Sequence, residues 1–188
     1  MSVPGFVSIS KQQAVNNQLR TAVRLYFELG DPLSIHTLVC AAYEILRNVA
    51  NKKRVEFELT FGQIVSAMSQ LAERSEADIF ELMRHPQNFL KHANRDSEDA
   101  LLSFNPQLTE FYLIITALLY PHVFPGPKGP VELDVFFAWF CLQHPQVIKA
   151  EVRERFGDRL VNPPLVLDRE EFFELAFRIL ADRRKQNC

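Results

Sequence analysis

The sequence has too few cysteines for a disulfide framework. Its 188 residues include three cysteines, Cys40, Cys141 and Cys188, which lie far apart without paired spacing. This pattern excludes a disulfide-rich fold and a zinc site held by cysteines. A reducing cytoplasm is therefore the expected location.

The chain also lacks an excess of charge of either sign and a long hydrophobic run. With 21 basic and 23 acidic residues its net charge is -2, so any contact with RNA has to be local. The longest apolar stretch, FYLIITALLY, includes Thr116, and the N-terminal residues have neither a basic region nor an apolar run of export length. We therefore expect no signal peptide and no membrane span.

Several enzyme signatures are missing. The sequence contains no phosphate loop, no dinucleotide glycine pattern, no nucleophile elbow and no His-Glu-x-x-His motif. Any catalysis must therefore be assembled from side chains on separate elements. A hydrophobic content of 47% is sufficient for a hydrophobic core.

The first part of the chain predicts a helical hairpin. Ser10 and Gln13 have capping-box spacing ahead of apolar residues at helical intervals, which predicts a helix ending near Gly30. Asp31 and Pro32 then supply an N-cap and a first-turn proline for a second helix. The apolar stripe of the first helix comprises Val15, Leu19, Ala22, Val23, Tyr26 and Leu29.

The polar side of the first helix is predicted to face solvent. Arg20, Arg24 and Glu28 lie on this side, and Arg24 with Glu28 has the i, i+4 spacing of an ion pair. This side is therefore interpreted as an ordinary solvated face.

The second helix carries a polar stripe at helical spacing, with Glu44 beside it. A buried glutamate needs a basic partner, for which Arg84 and Arg95 are the natural candidates. The alternative is a stripe at the boundary of the core with ordinary surface pairs. The stripe consists of His36, Cys40, Tyr43 and Arg47.

Two shorter helices are predicted next, one over about residues 61–73 and one opened by Ser75 and Asp78. Pro86 is predicted to end the second near Arg84 and to start a new helix, because proline disfavours helical geometry in the residue before it.

Asn105 and Pro106 are predicted to begin a strongly apolar helix that runs to about Tyr120. The stretch PHVFPGPKGP then contains four prolines and two glycines, too many for regular structure. It separates a predicted helical bundle, residues 1–124, from C-terminal helices, residues 131–188, that pack on the same domain.

A last helix is predicted after Asp168, which has capping-box spacing with Glu171. The apolar run VFFAWF fits a buried helix or a buried strand, and the alternating KKRVEFELTF is more consistent with a connection than with an isolated strand. The fold class is therefore an all-α helical bundle of about seven or eight helices.

The segment NFLKHANRD is the candidate site. On a helix, Asn88, His92 and Asp96 share one face, and Lys91 and Arg95 share the adjoining face. The cations suit phosphate oxygens, and the histidine can exchange a proton near neutral pH while the aspartate holds its tautomer. The alternative is a polar helix edge in which the histidine and the aspartate only pair with each other.

The histidine and aspartate of this segment could also chelate a metal ion, but no motif fixes a third ligand. We therefore expect no metal and no cofactor.

Two resemblances follow from these stretches. The hairpin KQQAVNNQLRTAVRLYFELGDPLSIHTLVCAAYEIL, together with NFLKHANRD and LLSFNPQLTEFYLI, resembles a family of small bacterial proteins with no assigned activity. More distantly, the hairpin with a glutamate in its second helix and a later helix with a polar-flanked histidine resembles the HEPN superfamily. That resemblance implies a four- or five-helix bundle, often dimeric, and in some members metal-independent RNA cleavage by an arginine and a histidine. The matching positions are Arg84 and His92, although the seven residues between them exceed the usual spacing and include Pro86.

The sequence thus leaves two functions open. The first is a protein that binds nucleotide or RNA and acts as a ribonuclease. In this hypothesis Arg84, Lys91 and Arg95 contact phosphate. His92 transfers the proton, and Asn88 and Asp96 orient its imidazole ring. The second is a non-enzymatic interaction protein, since sixteen phenylalanines and the run VFFAWF predict a partner surface, here that of a homodimer.

Overall fold

Regular structure in the described part of the chain is entirely helical. The computed structural model describes residues 6–56, 62–63, 65–66, 69, 73–91, 101–125, 129–144 and 168–186. The all-α prediction is confirmed, with six helices rather than seven or eight over these residues; the helix predicted at about residues 61–73 lies largely outside them. The helices are α1 (Lys11–Phe27), α2 (Pro32–Lys53), α3 (Glu76–Lys91), α4 (Gln107–Val123), α5 (Val131–Gln143) and α6 (Arg169–Gln186).

The caps of the predicted hairpin are confirmed. The Ser10 side chain accepts a hydrogen bond from the Gln13 amide at 3.1 Å, and the Gln13 side chain accepts one from the Ser10 amide at 2.9 Å. At the start of α2, the Asp31 carboxylate accepts a hydrogen bond from the Ser34 amide at 2.6 Å, and Pro32 is the first helical residue. Both helices therefore begin where local hydrogen bonding dictates.

The turn between α1 and α2 differs from the prediction. Helix α1 ends at Phe27, and Leu29 adopts a left-handed conformation with φ of 54°. This conformation reverses the chain, and the amide of Gly30 donates to the Leu25 carbonyl at 2.8 Å. The Leu29 side chain is 74% exposed, so its assignment to the apolar stripe is wrong.

Helix α2 lies between α1 and α4 and contacts both over much of its length. The interface is apolar, and each large side chain buried there stabilises the fold by about 2 kcal/mol. These three helices therefore form the central core. Its fully buried members include Val15, Leu19, Val23, Val39, Leu46 and Leu113.

Helix α3 continues through Pro86, so the prediction that this proline separates two helices is wrong. Proline has no amide to donate to the carbonyl four residues earlier, which weakens a helix. Here the Pro86 ring is buried, as is Met83 one turn before it, and this burial offsets the lost hydrogen bond. Arg84 and Lys91 consequently lie on one helix, two turns apart.

Helix α4 begins as predicted and ends slightly later. The Asn105 side chain accepts a hydrogen bond from the Gln107 amide at 3.0 Å, and Pro106 immediately precedes the helix. The helix then continues through Pro121 to Val123, beyond the predicted end near Tyr120.

The aromatic run VFFAWF forms helix α5, which packs against α1 together with α6. Phe136 is fully buried, and its ring meets that of Tyr26 edge to face at 5.3 Å. Trp139 packs in the same way against Phe27 at 5.8 Å. Much of this aromatic surface is therefore used within one chain.

Helix α6 begins at the predicted cap. The Asp168 side chain accepts a hydrogen bond from the Glu171 amide at 2.9 Å, and the Glu171 side chain accepts one from the Asp168 amide at 3.3 Å.

A buried carboxylate joins α5 to α1. Glu132 is only 4% exposed, and the Arg24 guanidinium donates two hydrogen bonds to its Oε1 atom, at 3.1 and 2.9 Å. Arg20 lies 3.9 Å from the other oxygen. Arg24 also lies over the rings of Phe173 and Phe177, at 5.7 and 5.1 Å. This side of α1 is exposed, as predicted, but it also carries tertiary contacts, and Arg24 pairs with Glu132 where the spacing predicted Glu28.

Replacing Arg24 with methionine should destabilise the fold by about 3 kcal/mol, because it leaves the Glu132 carboxylate buried without its main partner. Methionine keeps apolar contact with α6, so the loss reports mainly on the charge. Urea unfolding measures it. Arg178→Met, which removes an exposed arginine of α6, is the control and should change stability by less than about 0.5 kcal/mol. Equal effects of the two variants would contradict the assignment of Glu132.

Candidate functional site

The structure describes half of the predicted site. Arg84, Asn88 and Lys91 are exposed residues of α3. His92, Arg95 and Asp96 lie outside the described residues.

A cleft opens between α2 and α3, with α4 behind it. Its cavity volume is about 30 Å³, and it is partly open to solvent. Arg84 lines it, as do three members of the polar stripe of α2. The lining residues are Cys40, Tyr43, Glu44 and Arg47 of α2, Phe80, Arg84 and Gln87 of α3, and Tyr112 of α4.

Glu44 is held by two side chains of α3. The Lys91 ammonium donates to its Oε2 atom at 2.9 Å, and the Gln87 amide lies 3.5 Å from the same oxygen. Of the predicted partners, Arg84 acts on Glu44 through its charge, and Arg95 lies outside the described residues. Lys91 forms the hydrogen bond because α3 stays helical beyond Pro86 and brings its last turn alongside Glu44.

Three cations converge on this carboxylate. The hydrogen bond from Lys91 lowers the pKa of the Glu44 carboxyl below its usual value, and the charges of Arg47 and Arg84 lower it further. Both arginines are exposed, and neither forms an ion pair with a carboxylate in the parts of the chain that are described. Two guanidinium groups at the cleft are thus available to an anionic ligand.

Aromatic side chains form part of the cleft wall. The Arg84 guanidinium lies 5.0 Å from the centre of the Phe80 ring. At the back, the Tyr112 hydroxyl donates to the Met83 carbonyl at 3.3 Å, and its ring meets that of Tyr43 at 5.5 Å. The wall is therefore held by contacts among three helices.

The inner part of the α2 stripe is buried. His36 and Cys40 are 0% and 1% exposed, and they are joined by a contact of 3.3 Å between the ring Nε2 and the thiol. The other ring nitrogen lies 3.1 Å from the Thr109 hydroxyl. Burial lowers the pKa of His36 to about 4 and raises the pKa of Cys40 to about 12. Both side chains are therefore neutral at pH 7, and neither serves as a base or a nucleophile there.

Sequence reasoning missed part of the cleft. Phe80, Arg84, Gln87 and Lys91 follow i, i+4, i+7, i+11 spacing, which places them on one face of a continuous helix. The expected break at Pro86 concealed this pattern. Asn88 is on the same helix but is not among the residues that line the cleft.

The described residues provide neither a metal site nor a membrane-spanning helix. They contain no group of three or more His, Cys, Asp or Glu side chains that could hold a metal ion. None of the described helices combines the length and apolar character needed to cross a membrane.

Comparison with known protein families, curated proteins and solved structures finds no match to this chain. The function must therefore be argued from the geometry of the cleft.

Stability should fall as the pH is lowered from about 6.5 to about 4, the window between the unfolded and folded pKa values of His36. Within this window the unfolded chain binds a proton that the folded chain does not, so acid favours unfolding. His36 should account for about 2 kcal/mol between neutral pH and about pH 5.

Urea unfolding at the two pH values measures this loss. His36→Gln should remove this loss of stability. His85→Gln, which removes an exposed imidazole, is the control and should show the same loss as the original protein. The same pH dependence in both variants would show that His36 is not the group responsible.

Proposed function

We propose that the protein binds nucleotide or RNA in the cleft between α2 and α3, and that it cleaves RNA without a metal ion. The observation that carries the proposal is the convergence of Arg47, Arg84 and Lys91 on Glu44, at a cleft lined by both arginines and by aromatic side chains.

A phosphate group suits the cationic part of the cleft. A guanidinium presents paired N–H donors that match two phosphate oxygens, and Arg47 and Arg84 offer such donors from two helices. With a net charge of -2 the protein has no general attraction for nucleic acid, so binding must depend on these local charges. A short stretch of backbone is thus a better ligand than a long duplex.

A base suits the remainder of the cleft. Aromatic side chains stack on bases with little sequence preference, and Phe80, which lines the cleft, is 41% exposed. Because Arg84 lies over Phe80, the phosphate and the base would occupy adjacent positions. This arrangement favours single-stranded RNA or a free nucleotide, whose bases are accessible.

Cleavage is assigned to His92, the residue directly after Lys91. Lys91, the last residue of α3, contacts Glu44 at the cleft, and this contact supports the assignment. In the proposed reaction His92 takes the proton from a ribose 2′-hydroxyl whose oxygen attacks phosphorus, while Arg84 stabilises the charge that develops. The bond between phosphorus and the 5′-oxygen of the next nucleotide breaks, and that oxygen leaves with a proton taken from water. Arg95 would contact a neighbouring phosphate, and Asn88 and Asp96 would orient the imidazole. No cofactor is required for this step.

The HEPN-like character, the homodimer and the cytoplasmic location belong to the same proposal. A HEPN-like protein would form a helical bundle, and the described helices form one.

Binding of a single-stranded RNA oligonucleotide at low salt should weaken about tenfold in Arg84→Gln and in Arg47→Gln, since each variant loses one charge-assisted phosphate contact. Each should also reduce the salt dependence of the affinity by about 0.7 in the logarithmic slope. Fluorescence anisotropy measures both quantities. Arg178→Gln is the control for total charge and should bind like the original protein. Absence of binding at low salt, or equal loss in the control, would rule out the cleft as the RNA site.

His92→Ala should reduce RNA cleavage in the presence of a chelator by at least about a hundredfold, the usual contribution of a positioned proton-transfer group. RNA affinity and thermal stability should be nearly unchanged, because a group whose role is proton transfer contributes little to either. His85→Ala controls for loss of an imidazole on the preceding turns. Cleavage that persists in His92→Ala, or that stops when chelator is added, would contradict the assignment as a metal-independent ribonuclease. RNA binding is tested separately by the arginine variants.

A further inference from the structure

A second cavity lies where the end of α1 meets the starts of α2, α4 and α6. Its cavity volume is about 360 Å³, it is partly open to solvent, and it shares no lining residue with the α2–α3 cleft. Much of its wall is apolar. The apolar lining residues include Leu29, Pro32, Ile35 and Pro106.

Arg169 supplies a cation to this cavity. Its guanidinium lies 4.4 Å above the centre of the Tyr26 ring and donates to the Tyr26 carbonyl at 3.5 Å, a long hydrogen bond. The side chain is partly buried, and it forms no ion pair with any carboxylate among the described residues. Most of its hydrogen-bonding capacity is therefore unused.

Glu110 supplies a carboxylate to the same cavity. Its Oε1 atom accepts a hydrogen bond from the Tyr26 hydroxyl at 2.6 Å. Its Oε2 atom lies 3.8 Å from the His144 ring nitrogen, too far for a hydrogen bond. This oxygen can therefore accept a further donor.

Tyr26 fixes the two charged groups relative to each other. The arginine lies over the face of its ring, and the glutamate lies at its hydroxyl. Burial raises the pKa of Tyr26, and the hydrogen bond to Glu110 raises it further, so the hydroxyl remains a donor near neutral pH. One rigid side chain thus holds a positive charge over its ring and a negative charge at its hydroxyl.

We propose that this cavity is a second binding site, which takes a small amino acid. The ligand carboxylate binds the Arg169 guanidinium, its ammonium group binds Glu110 Oε2, and its aliphatic side chain lies against Leu29, Pro32 and Ile35. A ligand with one charge fits less well, because an anion alone faces Glu110 and an amine alone faces Arg169.

The test uses the full chain and the standard L-amino acids, with isovalerate and isobutylamine as analogues that carry one of the two charges. Binding is measured by ligand-observed NMR and by fluorescence of Trp139, the single tryptophan, which packs on Phe27 beside Tyr26. At least one aliphatic amino acid should bind with a Kd below about 10 mM, and the analogues should bind about tenfold more weakly. No amino acid binding in this range, or equal binding of an analogue, would overturn the proposal.

Variants assign the binding to this cavity. Arg169→Gln and Glu110→Gln should each weaken amino acid binding about tenfold, the effect of losing one charge-assisted hydrogen bond. Glutamine at position 110 can still accept from Tyr26, and circular dichroism checks that both variants fold. Arg178→Gln, on the exposed side of α6, should bind normally. RNA affinity should be unchanged in Arg169→Gln, since the two sites share no residue. Amino acid binding that is unaffected in the folded Arg169→Gln variant would refute the site.

Discussion

The burial of polar side chains along α2 is the constraint on which the rest of the structure depends. His36 and Cys40 lie in the core and hydrogen-bond to each other and to Thr109. A buried polar group without a partner is costly, so these hydrogen bonds fix how α2 is rotated against α4. The stripe then continues outward, so Glu44 and Arg47 must emerge at the edge that faces α3. The cleft is therefore a consequence of how the core satisfies its own polar groups.

The starts of the helices could be predicted because they depend on residues three positions apart. Ser10 with Gln13, and Asp168 with Glu171, form the hydrogen bonds that their spacing indicates. Such caps require no knowledge of the remainder of the fold. The helical hairpin followed from the same local signals, which is why the fold class was accessible from the sequence. The candidate site was accessible only as a list of polar residues on one segment.

The errors arose where contacts distant in sequence override local preferences. Pro86 is tolerated within α3 because its ring is buried, and burial cannot be read from the neighbouring residues. The partner of Arg24 is Glu132, 108 positions away, whereas the sequence pattern offered Glu28. The face of α3 that lines the cleft was not predicted, because the sequence pattern placed a helix break at Pro86. The rule that proline interrupts an isolated helix thus concealed that Phe80 and Gln87 share a helix face with Arg84 and Lys91.

The proline within α3 also gives the cleft a mechanical property. The missing amide leaves the Leu82 carbonyl without its usual donor, so the helix bends more easily there than elsewhere. Arg84 precedes this point and Lys91 follows it. A small bend would change the separation of these two cations while Pro86 itself stays anchored in the core. The weakened point of α3 thus lies between Arg84 and Lys91, the two cations of this helix that act on Glu44.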